Sequence, residues 1–173
     1  MRSSGVLARE AILELIQGIP PLVAGTVSLE EQLQPNGIDL TLRRISSFAS
    51  KGNLTRSNEG RILSKTVPLT FDSRNGVDLE PGAYLVTFNE VVSLPLNIMA
   101  LAQPRSSLNR CGVSLHSAVW DAGYSGRSQS LLVVYNAYGF RLHKDARIMQ
   151  LVFFSLTHPV RQGYAGKFQK ENI

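Results

Sequence analysis

Residues 104–136 read PRSSLNRCGVSLHSAVWDAGYSGRSQSLLVVYN. The stretch opens on Pro104-Arg105-Ser106-Ser107, a cluster of hydrogen-bond donors. It runs apolar and small to Trp120-Asp121-Ala122-Gly123-Tyr124-Ser125-Gly126, where one carboxylate, one phenol and two glycines fall within seven residues. The apolar run Leu131–Tyr135 then reads as a returning strand. Strand, turn and strand with polar groups at both ends describe an anion-binding lip facing a carboxylate that can hold a water.

The flanking sequence carries the same β signals. Val67–Phe71, Ala83–Val92, Ile98–Ala102, Phe140–Leu142 and Ile148–Leu156 are predicted strands. Between them lie the turn stretches Asp72–Gly76, Leu79–Gly82 and His143–Asp145. Upstream, Pro35-Asn36-Gly37 marks a turn, and Ile38, Leu40 and Leu42 alternate with Asp39, Thr41 and Arg43. That period of two predicts a strand over 38–46 and sets Asp39 on the face away from the apolar side chains. One helix is clear. Leu7, Ile12, Leu15 and Ile16 share a face over 7–17, and Gly18 with Pro20-Pro21 ends it, so 1–20 reads as helix and turn. Residues 47–66 form a polar loop or a loose hairpin, and 161–173 a glycine-rich basic arm with no apolar stripe, flexible or held from outside its own core. Turn signals every eight to twelve residues beside a single helix predict an all-β sandwich or barrel, with 1–173 as one domain.

Composition narrows the class. The 173 residues are 43% hydrophobic and 18% charged, as in a globular domain with a sizeable core. No apolar run approaches the ~20 residues of a membrane span. Arg9, Glu10 and Glu14 interrupt the place of a signal-peptide core, so a cytoplasmic protein is expected. Cys111 is the one cysteine, which excludes an intrachain disulfide and a multi-thiolate zinc site. Its apolar neighbours suggest a buried, inert thiol. The net charge of +5 suits a polyphosphate or a nucleic acid. Much of it is local, with Arg43, Arg44, Lys51, Arg56, Arg61 and Lys65 facing Glu59, and reads as a solvated basic loop.

Several chemistries are absent: no GxxxxGK[ST], no HxE with PCxxC, no GxSxG, and no metal-ligand spacing among His116, His143 and His158. Arg105, Ser106 and Ser107 offer a guanidinium fork, two hydroxyls and successive backbone N–H groups, and can open a short helix. An ordinary capped turn would look the same. Asp121, beside small residues that allow close approach, can orient and deprotonate a water, or serve as a turn aspartate before glycine. Tyr124 packs against a sugar or acts as a strand aromatic. Gln150 in RIMQLVFF points outward or has a specific partner. Lys167, Phe168 and Gln169 on the arm form a lid or a disordered end. Together they outline a nucleoside triphosphate site with Asp121 as base.

As an ordered set these segments resemble the deoxyuridine triphosphatase and dCTP deaminase superfamily. The matching text is QPNGIDL at 34–40, LEPG at 79–82, PRSSLNRCGV at 104–113, AVWDAGYSG at 118–126, ARIMQLVF at 146–153 and GYAGKFQ at 163–169. The resemblance implies a compact, distorted β-barrel of jelly-roll or β-clip type, assembled as a homotrimer with sites shared between subunits. It implies that Arg105, Ser106, Ser107, Arg110 and Gln150 hold the triphosphate. The hairpin at His116, Ser117, Val119 and Trp120 would read the base through backbone groups. Asp121 would hold the attacking water, and Tyr124 would stack under the deoxyribose and exclude a 2′-hydroxyl. Lys167, Phe168 and Gln169 would close the site, often on a neighbouring subunit. Mg²⁺ would be held by phosphates and waters rather than a protein cage.

The superfamily divides by chemistry. Deaminases resemble one another in a glutamate on the strand after the DxGxxG turn. Here that strand reads SLLVVYN over 130–136, and no Asp or Glu lies between Gly126 and Lys144. Tyr124 also looks like the triphosphatase choice, whereas SSLNR and GKFQ lean to the deaminase branch. The mixture resembles the archaeal type of triphosphatase. The expected reaction is hydrolysis of dUTP to dUMP and pyrophosphate. The alternatives are a dCTP deaminase, alone or bifunctional, and a non-catalytic nucleotide- or nucleic-acid-binding β domain using the basic 43–65 region. Nucleic acid is the less expected partner and a membrane is not expected.

Overall fold

The strand Gly37–Phe48 is the spine of the molecule, a computed structural model that describes residues 5–173. Its first half pairs antiparallel with Arg147–Ser155, from Ile38 opposite Leu151 to Thr41 opposite Arg147. Its second half pairs with Gly82–Phe88, from Leu42 opposite Phe88 to Ser47 opposite Tyr84. Register breaks between Leu42 and Arg44 and between Arg147 and Met149 mark the change of partner. Extra residues at such breaks bend and twist a strand. Ile98–Pro104 lies on the far side of Arg147–Ser155. Gln129–Val134 and then Val113–His116 extend the sheet beyond Gly82–Phe88. The result is one mostly β domain whose main sheet curls into a half-barrel, as the turn spacing predicts.

The concave face holds the core. Leu40, Leu42, Ile45, Phe88, Leu132, Leu151 and Phe153 are wholly buried. Short pieces close the ends. Helix Arg9–Ile16 inserts Ile12, and a small sheet joins Ser125–Gly126, Val91–Ser93 and Val23–Ala24. No helix among the described residues is long and apolar enough to cross a membrane.

Three local expectations change. Asp39 and Thr41, expected on an outward face, are 2% and 1% exposed, because polar partners cover the second face of their strand. Gln32 Nε2 donates to the Asp39 carbonyl at 2.8 Å and to Glu90 Oε1 at 2.7 Å. The single strand expected over 83–92 splits at Asn89-Glu90. There Glu90 turns inward and takes hydrogen bonds from the Thr41 N–H at 2.9 Å and the Thr41 hydroxyl at 2.6 Å. Cys111 is exposed rather than buried, since it caps the surface helix Ser106–Arg110. The segment 47–66 is a loose hairpin: Thr66–Pro68 pairs with Ser46–Phe48, and one bridge joins Asn53 to Ile62.

The Glu90 knot is the main polar element of the core. Burial pushes its carboxyl above the ordinary glutamate range, and the bonds from Thr41 and Gln32 pull partly against that shift. A raised folded-state value means that its contribution to stability is full below the ordinary range. That contribution is lost as pH rises through the folded value. Glu90→Ala leaves three buried donors without an acceptor and is expected to cost on the order of 3 kcal/mol, read from urea denaturation. Glu90→Gln, neutral at every pH, is expected to flatten the fall in stability on the alkaline side of the glutamate range.

Candidate active site

The segment carrying Asp121 is pinned from two sides. Trp120 forms an isolated antiparallel bridge with Ala100, its N–H donating at 3.0 Å and its carbonyl accepting at 2.9 Å. Beyond it, Gly123 N–H donates to Leu94 O and Leu94 N–H donates to Tyr124 O. Gly123 itself has φ of 84°, the left-handed region open to glycine, which lets the chain reverse between Asp121 and Tyr124. The indole of Trp120, 4% exposed, donates to Ser128 Oγ at 3.1 Å. Asp121 stays exposed at the wall of a cavity of about 740 Å³.

The cavity is built from three parts of the chain. Ala118, Val119, Trp120, Asp121 and Tyr124 form one wall, with Gln129 from the neighbouring strand. Phe48, Leu63, Ser64 and Thr66 form a second. The arm supplies Tyr164, Phe168 and Glu171. Its size suits a nucleoside-sized ligand. Residues 117–119 follow the paired strand Val113–His116 and lack backbone hydrogen-bond partners among the described residues. Their N–H and C=O groups form a free edge where a planar base could pair. Trp120 is not part of that edge, because Ala100 takes both its backbone groups.

The arm 161–173 lies on its own chain. Tyr164 N–H donates to Ala122 O at 2.8 Å, and Lys170 N–H to Ser125 O at 2.7 Å. Gln169 donates to Gly123 O at 2.9 Å and accepts from Ser125 N–H at 2.8 Å, so its amide fastens the arm to the turn. Phe168 enters the cavity wall, while Lys167 remains exposed.

The donor cluster lies elsewhere. Arg105, Ser106, Ser107, Arg110 and Gln150 do not line the cavity. Ser106–Arg110 forms a five-residue helix, and Arg110 donates to Ser106 O at 3.1 Å. Arg105 Nε stands 3.4 Å from Asp39 Oδ2, and Arg147 Nη1 stands 3.6 Å from the same oxygen. Gln150 packs over Gly37, where a Cβ would lie 3.0 Å from its amide nitrogen and 2.5 Å from Leu151 O. Asp39 is buried and its Oδ2 has no hydrogen bond among the described residues; burial pushes the carboxyl up while Arg105 and Arg147 pull it down. His116 is exposed beside the free edge and Ser117 is exposed within it. Among the described residues no group of three His, Cys, Asp or Glu could hold a metal ion.

The sequence reading does not reach several of these residues. Phe48, Leu63, Ser64 and Thr66 belong to a segment read as a solvated loop; the signal was its apolar residues Leu54, Ile62 and Leu63 among polar neighbours. Glu171 is missed as well, although it is the one acid in the arm. Asp39 is misplaced because alternation counts one buried face.

Comparison with known proteins places this geometry. The pattern that defines the dCTP deaminase-like family matches residues 6–156. The chain belongs to that family. The superfamily resemblance carried by the PRSSL, DAGYSG and RIMQLVF segments is therefore correct. The chain is similar to a probable deoxyuridine 5′-triphosphate nucleotidohydrolase of Methanosarcina acetivorans, 48% identical over 96% of this chain and 98% of the relative. A protein of the same name from Archaeoglobus fulgidus is 45% identical over 97% of this chain and 98% of the relative. Among solved structures, the 2′-deoxycytidine 5′-triphosphate deaminase from Agrobacterium tumefaciens superposes with a TM-score of 0.67 at 27% identity. That match covers 89% of this chain and 49% of the deaminase chain, so the present chain spans about half its length. The strand after the DAGYSG turn is Gln129–Val134. Here Gln129, Leu131 and Val133 share its half-buried face, and none of them is an acid.

Asp39 holds two guanidinium groups in one place. Asp39→Asn removes the shared counter-charge and is expected to lower unfolding free energy by about 1–3 kcal/mol, the arginines being partly solvated. Urea denaturation of the two proteins side by side measures it, and an unchanged midpoint would show that the pair adds nothing to stability.

Proposed function

We propose that this protein is a dUTP diphosphatase that converts dUTP and water to dUMP and pyrophosphate. The observation that carries the reading is the exposed Asp121 carboxylate on the wall of a nucleoside-sized cavity whose neighbouring strand offers no acid for deamination. The archaeal relatives that match nearly the full chain support the same substrate.

In this reading the base pairs with the free backbone edge at 117–119, and the Tyr124 ring lies under the deoxyribose. Asp121 holds a water in line with the α-phosphorus. The water oxygen bonds to phosphorus, its proton passes to the Asp121 carboxylate, and the bond to the bridging oxygen breaks as pyrophosphate leaves. Mg²⁺ carried by the nucleotide's phosphates would supply positive charge that offsets the charge on the leaving group. Arg105, Ser106, Ser107, Arg110 and Gln150 supply charge-assisted bonds to the phosphates. Because one chain keeps these groups out of its own cavity, they serve the cavity of a neighbouring copy in a homotrimer. Lys167 and Phe168 close over the ligand, and Gln169 holds the arm in place.

The decisive test incubates the protein with Mg²⁺ and either dUTP or dCTP. dUMP and pyrophosphate from dUTP, with no ammonia from dCTP, are expected. Ammonia release would point to the deaminase, and inertness toward both nucleotides to a binding domain. Asp121→Asn is expected to fold, bind dUTP and lose at least about a hundredfold in turnover. Wild-type turnover in that variant would remove Asp121 from the mechanism. Mixing inactive Asp121→Asn with inactive Arg105→Ala after joint refolding is expected to restore part of the activity, since mixed trimers contain some sites with both groups intact. No recovery in mixed oligomers would mean that each site belongs to one chain.

A further inference from the structure

Tyr124 is held from three directions. Its hydroxyl donates to Glu171 Oε1 at 2.9 Å. The Tyr164 ring meets it edge to face, with centroids 5.8 Å apart and planes at 69°. Gly126 gives it room, for a Cβ there would lie 2.6 Å from the Tyr124 hydroxyl and 3.2 Å from the Glu171 nitrogen. Two of these three restraints come from the arm. We infer that Glu171 is a positioning residue for Tyr124, so that the cavity discriminates between sugars only when the arm is docked.

Charge sharpens the point. Glu171 is the one acid in an arm that carries Arg161, Lys167 and Lys170. A carboxylate in a cavity meant for a polyanion opposes binding unless it stands away from the phosphates and has another task. This one is half-buried and bonded to a phenol, with its backbone fixed in turn: Arg127 N–H donates to Glu171 O at 2.9 Å, and Asn172 Nδ2 to Arg127 O at 2.9 Å. The bond therefore has a rigid seat on both sides. A ring held this way presents a fixed face to the sugar, and a fixed face rejects an added hydroxyl that a mobile ring would accommodate. Arm closure and sugar choice thus become one event.

This inference rests on the reading that the cavity takes a deoxynucleoside triphosphate. Its test is the ratio of kcat/KM for dUTP to that for UTP, with Mg²⁺, in wild type and four variants. Glu171→Ala and Tyr124→Phe break the hydrogen bond from opposite ends, and each is expected to lower the ratio about tenfold. Part of that change is expected in improved KM for UTP, which a merely weakened fold would not produce. Glu171→Gln keeps an acceptor for the phenol and is expected to hold the ratio within about twofold of wild type. The double variant Glu171→Ala/Tyr124→Phe is expected to fall no further than either single change. Equal loss of activity on both nucleotides, with the ratio unchanged in Glu171→Ala and Tyr124→Phe, would overturn the inference. If wild type hydrolyses neither nucleotide, the proposed reaction fails, and the affinities of the same proteins for dUTP and UTP by calorimetry decide the inference instead.

Discussion

The double partnership of Gly37–Phe48 is the constraint from which the rest follows. The strand lies between two neighbours, pairing with Arg147–Ser155 along its first half and with Gly82–Phe88 along its second, and its ladder is broken where the pairing shifts. The break between Leu42 and Arg44 provides the bend. Its first half, buried on both faces, carries Asp39 to the base of the Arg105 cluster. Its second half ends at Phe48 on the cavity wall. One strand therefore spans the distance between the two functional regions, and the Glu90 knot locks it where it changes partner. The centre of the bent sheet encloses Leu40, Leu42, Ile45 and Phe88 completely.

The separation of those regions follows from that geometry. Charged donors need a partly solvated, supported surface, which the helix Ser106–Arg110 and the buried Asp39 supply. The base-reading edge of the proposed function needs free backbone groups beside an apolar wall, and residues 117–119 have no backbone partner among the described residues. Placing both in one concave site would bring guanidinium groups against Phe48, Leu63 and Val119, where their desolvation would oppose folding. In the proposed reaction, a site shared between copies joins the two sets without that cost to a single chain.

The arm completes the cavity with few apolar contacts of its own. Backbone bonds at Tyr164, Lys170 and Glu171 attach it, together with the Gln169 amide, the Tyr124–Glu171 bond and the Arg127–Asn172 pair. Such an attachment is specific in register yet modest in strength, since each exchanged hydrogen bond contributes only about 1 kcal/mol. In the proposed reaction such a segment opens to admit a nucleotide and closes to exclude water.

Much of this was legible in the residues alone. Alternating apolar residues, closely spaced turn signals and one amphipathic helix were sufficient for an all-β single domain, because each reports a short-range preference. The ordered PRSSL, DAGYSG and RIMQLVF segments were sufficient for the family, and Val119, Asp121, Tyr124 and Phe168 do meet at one cavity. Period two could not show that Asp39 and Thr41 are enclosed, because it records one buried face and is silent about what covers the other. Nor could it show that Leu63 and Thr66 wall the cavity, that Ala100 occupies both backbone groups of Trp120, or that Glu171 binds Tyr124. Those contacts join residues 20 to 58 positions apart or more distant still, and their signal is a meeting in space rather than a pattern along the chain. Sequence by itself determined the class of fold, the family and the chemical groups available. Tertiary structure alone decided which of those groups share a cavity, because only the bend of one long strand sets the distances between them.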